Sequence, residues 1–176
     1  SVRRAVDLVQ QLVLISRKES THLIPVDINT SINNVARICS SAFDKNIEII
    51  KRIPDGETLT KGDPTQLEQV LLNISINANH AMTIMRGADD PHGGKLVIAV
   101  SRINADEHFT AVHPEAVKGP YWHISLTDTG VGMNSDTLSK IFIPFFTTKQ
   151  RGTGTGLGLS MAYNIIHMHK GFIDVY

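Results

Sequence analysis

Cysteine is nearly absent from this sequence of 176 residues, and long apolar runs are absent altogether. The single Cys39 cannot form an internal disulfide or a cysteine metal cluster, and its apolar helical neighbours predict a small buried side chain. No apolar run reaches the ~18 residues needed to span a bilayer, and Ser1 to Arg4 lack the apolar stretch of a signal peptide. We expect a cytoplasmic segment without membrane contact, whatever anchors the full protein.

An excess of charge of one sign is also missing. Lysine and arginine together number 17, as do aspartate and glutamate, so the formal net charge is zero. Nucleic-acid binders usually carry a basic excess, and we therefore expect no nucleic-acid partner. A hydrophobic share of 41% and a charged share of 19% are typical of a globular chain, and the length suits one domain with a real core.

Residues 1 to about 18 carry apolar side chains at spacings of three and four, which predicts a helix with a narrow apolar seam. Such a seam favours a partner helix, for example from a second chain, with packing on the helix's own domain as the alternative. A polar linker is expected over 19–25.

Strands and helices follow along the rest of the chain. Strands are predicted over 26–28, 46–53, 95–102 and 121–127, with a last one starting at 171. Helices are predicted from Asn29 or Thr30 to about 43, from Asp63 to 82–86, and over 135–142 and 156–169, with 104–118 as a hairpin extension or loop. This order predicts an α+β fold, a two-layer α/β sandwich with a mixed, mostly antiparallel sheet.

Two asparagines stand out on the helix that Asp63 begins. Asn73 and Asn77 lie four residues apart, so their amides share one face of an otherwise apolar helix. Because an unpaired buried amide costs roughly 1–3 kcal/mol, both need partners. Neighbouring backbone is one candidate, and a hard cation such as Mg²⁺, which prefers oxygen ligands, is the other.

A carboxylate and two glycines, Asp128-Thr129-Gly130-Val131-Gly132, directly follow a predicted strand. The glycines leave room for a flat ligand, and Asp128 can accept a hydrogen bond from an exocyclic amine such as that of adenine. A tight turn, in which Asp128 binds its own backbone, is the alternative.

A glycine-rich segment over 152–160, Gly-Thr-Gly-Thr-Gly-Leu-Gly-Leu-Ser, enters the last predicted helix. Its glycines let backbone N–H groups approach an anion, and a helix N-terminus favours negative charge. No Gly-Lys-Ser/Thr follows, so it is not a P-loop, and the polar loop before it disfavours a Rossmann fingerprint. A flexible hinge remains the alternative.

In this order, these segments resemble the N, G1, F and G2 boxes of histidine kinases, within the ATPase superfamily that includes DNA gyrase, Hsp90 and MutL. The resemblance covers about residues 26–176. The stretches that carry it are Gln66 to Asn73 with Asn77-Ala78 and Ala81-Met82, Asp128 to Met133, Ile141 to Lys149, and Gly154 to Ser160. Residues 144–149, Pro-Phe-Phe-Thr-Thr-Lys, are typical of the kinase branch. The first helix resembles the second helix of the dimerisation hairpin that precedes the domain.

The resemblance implies ATP and Mg²⁺ as cofactors and a role for each matching residue. Asn77 would bind the metal, with Asn73 supporting the metal and phosphate region. His80 stands where many members carry a phosphate-contacting lysine, and imidazole is mostly neutral at pH 7. Asp128 would bind adenine in a pocket shaped by Gly130, Gly132 and Met133. Backbone donors for the phosphates would come from Gly154, Thr155, Gly156, Leu157 and Gly158.

Two basic residues, Lys149 and Arg151, lie in what the resemblance identifies as a mobile lid. They would neutralise phosphate charge, with solvated surface charges as the alternative. The resemblance also implies that residues 1–18 are a remnant of the dimerisation hairpin and that 26–176 form the catalytic domain. Because the family usually continues with another strand pair, we expect that domain to be truncated at its C-terminal end.

The residue type at position 73 distinguishes ATP hydrolysis from transfer of the phosphate to a histidine. Superfamily members that hydrolyse ATP, such as gyrase, carry a glutamate four residues before the metal-binding asparagine, where it serves as general base. Asn73 cannot take up a proton, and Glu68 lies roughly 140° around the helix from it. We therefore expect transfer of the γ-phosphate to a histidine, achieved mainly by positioning and charge stabilisation.

The acceptor histidine would be followed by an acidic residue, and none of the eight histidines fits. We expect it on a helix before residue 1, so that this chain would bind ATP without phosphorylating itself. The expected partners are that phosphoacceptor helix, in a homodimer of the full protein, and the receiver domain of a response regulator. The alternatives are an ATP-hydrolysing clamp or motor domain and a nucleotide-dependent binding module.

Overall fold

A computed structural model describes residues 23–87, 92–149 and 154–176. The strands within these ranges are β1 Ile24–Asp27, β2 Ile47–Arg52, β3 Leu59–Gly62, β4 Gly94–Ala105 and β5 Gly119–Asp128. The helices are α1 Ile28–Ala42, α2 Pro64–Met82, α3 Glu107–Val112, α4 Ser135–Leu138 and α5 Gly158–Met168. The helix predicted over 1–18 and residues 19–22 of the predicted linker lie outside the described residues.

The strands form two sheets rather than one group. β1 pairs antiparallel with β3, with Ile24 opposite Gly62. The second sheet has the order β2-β4-β5, in which β2 runs parallel to β4 and β5 runs antiparallel to it. A mixed sheet and covering helices confirm the predicted α+β class.

The main core lies between the second sheet and helices α1 and α2. Its buried side chains come from all three elements, among them Ile32, Val35 and Cys39 of α1, Leu67, Leu71 and Met82 of α2, and Leu96 and Ile98 of β4. Trp122, Ile124 and Leu126 of β5 pack against it, as strand alternation predicts. The burial of Cys39 also agrees with its apolar sequence context.

Helix α1 starts at a different cap from the one predicted. Asp27, rather than Asn29 or Thr30, is the N-cap, and its carboxylate accepts the Thr30 N–H at 3.2 Å. The same carboxylate accepts hydrogen bonds from the backbone and hydroxyl of Thr58. Asn29 instead lies inside the helix, where its N–H donates to Thr58 Oγ1. Asp27 is the cap because its carboxylate, which lies beside two threonines, is the stronger acceptor.

Helix α2 begins as predicted, since the Asp63 side chain accepts from the N–H groups of Thr65 and Gln66 and Pro64 occupies the first turn. A capping box, in which the Gln66 side chain would accept from the Asp63 N–H, is not formed. Gln66 Oε1 is buried and accepts no hydrogen bond.

Several predicted bounds change in the second half of the chain. β4 and β5 extend further than predicted, and the connection between them contains α3, which Asp106 caps. α4 ends at Leu138 and is capped by Asn134. Residues 171–176, where a last strand was predicted to start, form no strand.

Helix α5 is held against α2 along its length. Ala162 and Ile165 pack on Val70. At its C-terminal end, His169 Nε2 accepts the Asp63 N–H at 2.9 Å, while His169 Nδ1 lies 2.8 Å from the Ile165 carbonyl oxygen. Through this contact the end of α5 fixes the start of α2.

Across the three described ranges, no helix is both long and apolar enough to cross a membrane.

Candidate functional site

The central part of α2 carries three of the predicted site residues on one face. Asn73, Asn77 and His80 follow one another at spacings of four and three, so helical geometry brings them into a row. All three side chains are partly buried. The Asn73 amide group donates to the Gly158 carbonyl oxygen at 3.2 Å, which joins this face to the start of α5.

The lysine of the predicted lid reaches the other two residues of the row. Lys149 Nζ donates to Asn77 Oδ1 at 2.9 Å and lies 2.6 Å from His80 Nδ1. The Asn77 oxygen, expected to accept from backbone or to bind a metal, therefore accepts from an ammonium group. A cation of the chain itself occupies the point on which these two acceptors converge.

Electrostatics around this contact favour a neutral imidazole. Burial and, second, the charge of Lys149 lower the pKa of His80 below its ordinary value. Burial likewise lowers the pKa of Lys149. With His80 neutral, Nδ1 keeps a lone pair directed at the ammonium, and the oxygen and nitrogen acceptors together fit a bound cation.

The turn after β5 packs directly against the end of α2. Asp128 Oδ1 accepts the Gly130 N–H at 2.8 Å, and the Val131 N–H donates to the Ala81 carbonyl oxygen at 3.2 Å. A Cβ at position 130 would lie 2.5 Å from the Ala81 Cβ, so only glycine allows this approach. The self-binding turn is thus formed, and among the described residues Asp128 Oδ2 accepts no hydrogen bond.

The glycine-rich segment turns against the lid. Gly156 has φ +68° and Phe145 has φ +67°, and the Phe145 N–H donates to the Gly156 carbonyl oxygen at 2.9 Å. A Cβ at position 156 would lie 2.4 Å from the Phe145 carbonyl carbon. The segment then enters α5, which begins without a side-chain cap, so its first N–H groups are available to an anion.

The remaining predicted residues lie around these contacts. A Cβ at Gly154 would lie 3.0 Å from Lys149 Cδ, so the glycine-rich segment and the lysine are neighbours. Thr155 Oγ1 accepts the Leu157 N–H at 3.4 Å. Met133 is exposed, and Gly132 has φ +68° with open space beside it. Arg151 lies outside the described residues.

Sequence reasoning missed Thr129, which fixes the Asp128 turn. Thr129 Oγ1 accepts the Lys95 N–H at 3.0 Å, and its carbonyl oxygen accepts from Arg86 Nη2 at 2.7 Å. Phe145 was also missed as a residue with positive φ. A threonine after an aspartate and a phenylalanine after a proline are too common to single out, because their significance depends on contacts distant in sequence.

A cleft of about 370 Å³ lies elsewhere, at the C-terminal end of α5. Its walls include His113, Glu115, His167 and Asp174, and none of the predicted site residues. In the part of the chain that the structure describes, no three histidine, cysteine, aspartate or glutamate side chains are grouped to hold a metal. The predicted metal ligand is instead the Asn77 amide.

The chain is similar in sequence to known proteins. Residues 62–176 match the family described as histidine kinase-, DNA gyrase B-, and HSP90-like ATPase. Sensor kinase CckA of Brucella abortus (strain 2308) is 35% identical over 175 residues, covering 98% of this chain and 18% of that protein. Sensor histidine kinase ZraS of Escherichia coli (strain K12) is 35% identical over 170 residues, covering 96% of this chain and 31% of that protein.

The fold has solved counterparts. The structure of histidine kinase ThkA in complex with response regulator protein TrrA aligns with a TM-score of 0.66 at 22% identity, covering 97% of this chain and 42% of that one. The chain spans less than a third of the length of the two sensor kinases that it matches.

Proposed function

Because the chain belongs to the histidine kinase-, DNA gyrase B-, and HSP90-like ATPase family, we propose that it binds ATP with Mg²⁺ and transfers the γ-phosphate to a histidine. That histidine lies on a helix outside residues 1–176, and the transfer is part of two-component signalling. The names of the relatives, sensor kinase and sensor histidine kinase, support this activity over others in the family.

One observation favours transfer over hydrolysis. Asn73 occupies the position at which a general base would act, and its amide donates to the Gly158 carbonyl oxygen. An amide cannot take up a proton from water. Glu68 does not replace it, since its Oε1 accepts from Asn34 Nδ2 at 2.8 Å and is thereby held towards α1.

The chain's own groups then act by binding and positioning. The uncapped start of α5 offers N–H groups to the phosphates, and Asp128 Oδ2 accepts from the adenine amine. Asn77 Oδ1 would hold Mg²⁺, which would supply positive charge to neutralise the phosphates. Lys149, whose ammonium sits on Asn77 Oδ1, moves onto the phosphates. Phosphoryl transfer needs little more than such alignment and charge stabilisation.

The partners follow from the same assignment. We propose that the upstream helix supplies the acceptor histidine within a homodimer of the full protein, and that a response-regulator receiver domain takes the phosphate next. The complex of ThkA with a response regulator supports this second step by analogy of fold alone.

The test is to mix the chain with a fragment carrying the upstream helix and with ATP labelled at the γ-phosphate. We expect label on the fragment, none on the chain alone, and little phosphate release. Asn77→Ala should abolish labelling and Asn46→Ala, in an exposed loop, should not. Steady phosphate release without labelling, lost in Asn77→Ala, would identify a hydrolase instead.

A further inference from the structure

Two acceptors in α2, one oxygen and one nitrogen, converge on a single cation, the Lys149 ammonium group. Asn77 Oδ1 and His80 Nδ1 lie 2.9 Å and 2.6 Å from Lys149 Nζ. They stand one helical turn apart on a rigid element, within a helix that runs from Pro64 to Met82. Both acceptors therefore belong to α2, whereas Lys149 reaches them from a different segment.

The two donor atoms, which are partly buried, favour different metal ions. The oxygen of Asn77 is a hard donor that suits Mg²⁺, whereas Mg²⁺ rarely takes nitrogen and usually keeps several waters. An imidazole nitrogen suits first-row transition ions. A lysine at position 80 would leave the oxygen as the sole ligand from this turn, but His80 adds a nitrogen.

Because both are cations, the Lys149 ammonium and a divalent metal ion cannot occupy the position between Asn77 and His80 together. Two cations cannot share the same two acceptors at hydrogen-bonding distance without strong repulsion. A metal ion that arrives with the nucleotide therefore displaces Lys149, whose side chain also lies beside Gly154 of the glycine-rich segment. The displaced ammonium remains beside the phosphates, where its charge is still needed.

Building on the proposed function, we propose that His80 is a specificity-determining ligand for the nucleotide's metal ion. Asn77 Oδ1 and His80 Nδ1 together bind a divalent first-row transition ion with the phosphates, and the site prefers a nucleotide carrying Mn²⁺ to one carrying Mg²⁺. Because affinity of mixed nitrogen and oxygen sites rises from Mn²⁺ through Fe²⁺ and Co²⁺, Mn²⁺ is the most demanding probe of this series.

The experiment measures binding of a non-hydrolysable ATP analogue to the full chain by calorimetry, with Mn²⁺ and with Mg²⁺. We expect Mn²⁺ to tighten binding about tenfold over Mg²⁺, since even loss of an outer-shell partner of a metal ligand typically costs about 10–100-fold in affinity. His80→Gln keeps a polar side chain but removes the nitrogen ligand, and it should lower the Mn²⁺ preference about tenfold while leaving Mg²⁺ binding within about threefold. His123→Gln, at an exposed histidine of β5, is the matched control and should keep the preference.

A second measurement already gives a result on the wild-type chain alone. Electron spin echo modulation of Mn²⁺ bound with the analogue should show a directly coordinated nitrogen in the wild-type chain and in His123→Gln, and none in His80→Gln. Tight binding with the same Mn²⁺ to Mg²⁺ ratio in wild type and His80→Gln, without a nitrogen signal, overturns the role of His80 and leaves the proposed function standing. If the chain binds the nucleotide neither with Mn²⁺ nor with Mg²⁺, both the role of His80 and the proposed function are wrong.

Discussion

The side-chain amide of Asn73 donates a 3.2 Å hydrogen bond to the carbonyl oxygen of Gly158, the first residue of α5. The bond joins the middle of one helix to the start of another that lies 85 residues further along the chain. A Cβ at position 158 would still meet Asn73 at an ordinary 3.8 Å. It is therefore the hydrogen bond, rather than close backbone approach, that makes this junction specific.

Replacing Asn73 with aspartate should destabilise the chain by about 1–2 kcal/mol, because a carboxylate would face the Gly158 carbonyl oxygen with no proton to donate. Urea unfolding at pH 7 measures the change. Gly158→Ala is the control, since it preserves the donor and acceptor and should unfold at the same urea concentration as wild type or higher. Equal stability of Asn73→Asp and wild type would show that the hydrogen bond contributes nothing.

Asp27 should make the chain sensitive to acid. Hydrogen bonds, first from the Thr30 and Thr58 hydroxyls and then from the Thr58 backbone, hold the pKa of its carboxyl well below the ordinary value. A folded pKa below the unfolded one gives a stability contribution that is fully present above the unfolded value of about 3.9. It is lost as the pH falls from there towards the folded pKa.

Asp27→Ala should therefore cost about 1–2 kcal/mol at pH 7, as loss of an N-cap typically does, and the gap from wild type should narrow below about pH 4. Urea unfolding at a series of pH values measures the gap. Asp55→Ala removes an exposed carboxylate from the nearby turn and measures the effect of charge removal alone. A gap that is independent of pH would contradict the assigned hydrogen bonds.

Substitutions at Gly130 and Ala81 should have coupled effects on the free energy of unfolding. Gly130→Ala brings a methyl group to 2.5 Å from the Ala81 Cβ, and overpacking of this kind costs about 1–3 kcal/mol. Ala81→Gly alone should cost about 1 kcal/mol as a glycine in a helix, yet the double variant should be more stable than the sum of the two changes. A double-mutant cycle by urea unfolding tests this, and purely additive costs would mean that the two residues do not compete for space.

Asp128→Asn should separate folding from nucleotide recognition. An amide oxygen can still accept the Gly130 N–H, so stability should stay within about 1 kcal/mol of wild type. Loss of a charged acceptor for the adenine amine should weaken ATP binding about 10–100-fold. Calorimetry with ATP and GTP gives the readout, and Asp136→Asn of α4, whose carboxylate accepts from Lys140, is the control. Unchanged ATP affinity would assign Asp128 to the turn alone.

Much of the fold was readable because its signals are local. Asp63 starts α2 as predicted, and the predicted strand over 121–127 carries alternating apolar residues whose face packs on the core in β5. The cap of α1 was misassigned because Asp27, Asn29 and Thr30 are all good caps by type. Thr58, which decides between them, is distant in sequence.

The sequence predicts which residues form the candidate site but not how they contact one another. Spacing alone put Asn73, Asn77 and His80 on one face. The position of Lys149 on two of them depends on how the lid folds back over α2, which no local pattern encodes. The same holds for the division of strands into two sheets, since β3 was not predicted and pairs with β1 across more than thirty residues.

The bond from the Asp63 N–H to the His169 ring has a consequence for amide hydrogen exchange. Most protected amides owe their slow exchange to a backbone carbonyl in their own helix or sheet, but this one owes it to a side chain 106 residues away. Its proton should exchange when α5 separates from α2 or when the last turn of α5 at His169 opens. A single amide at the start of one helix thus reports how firmly the end of another is docked.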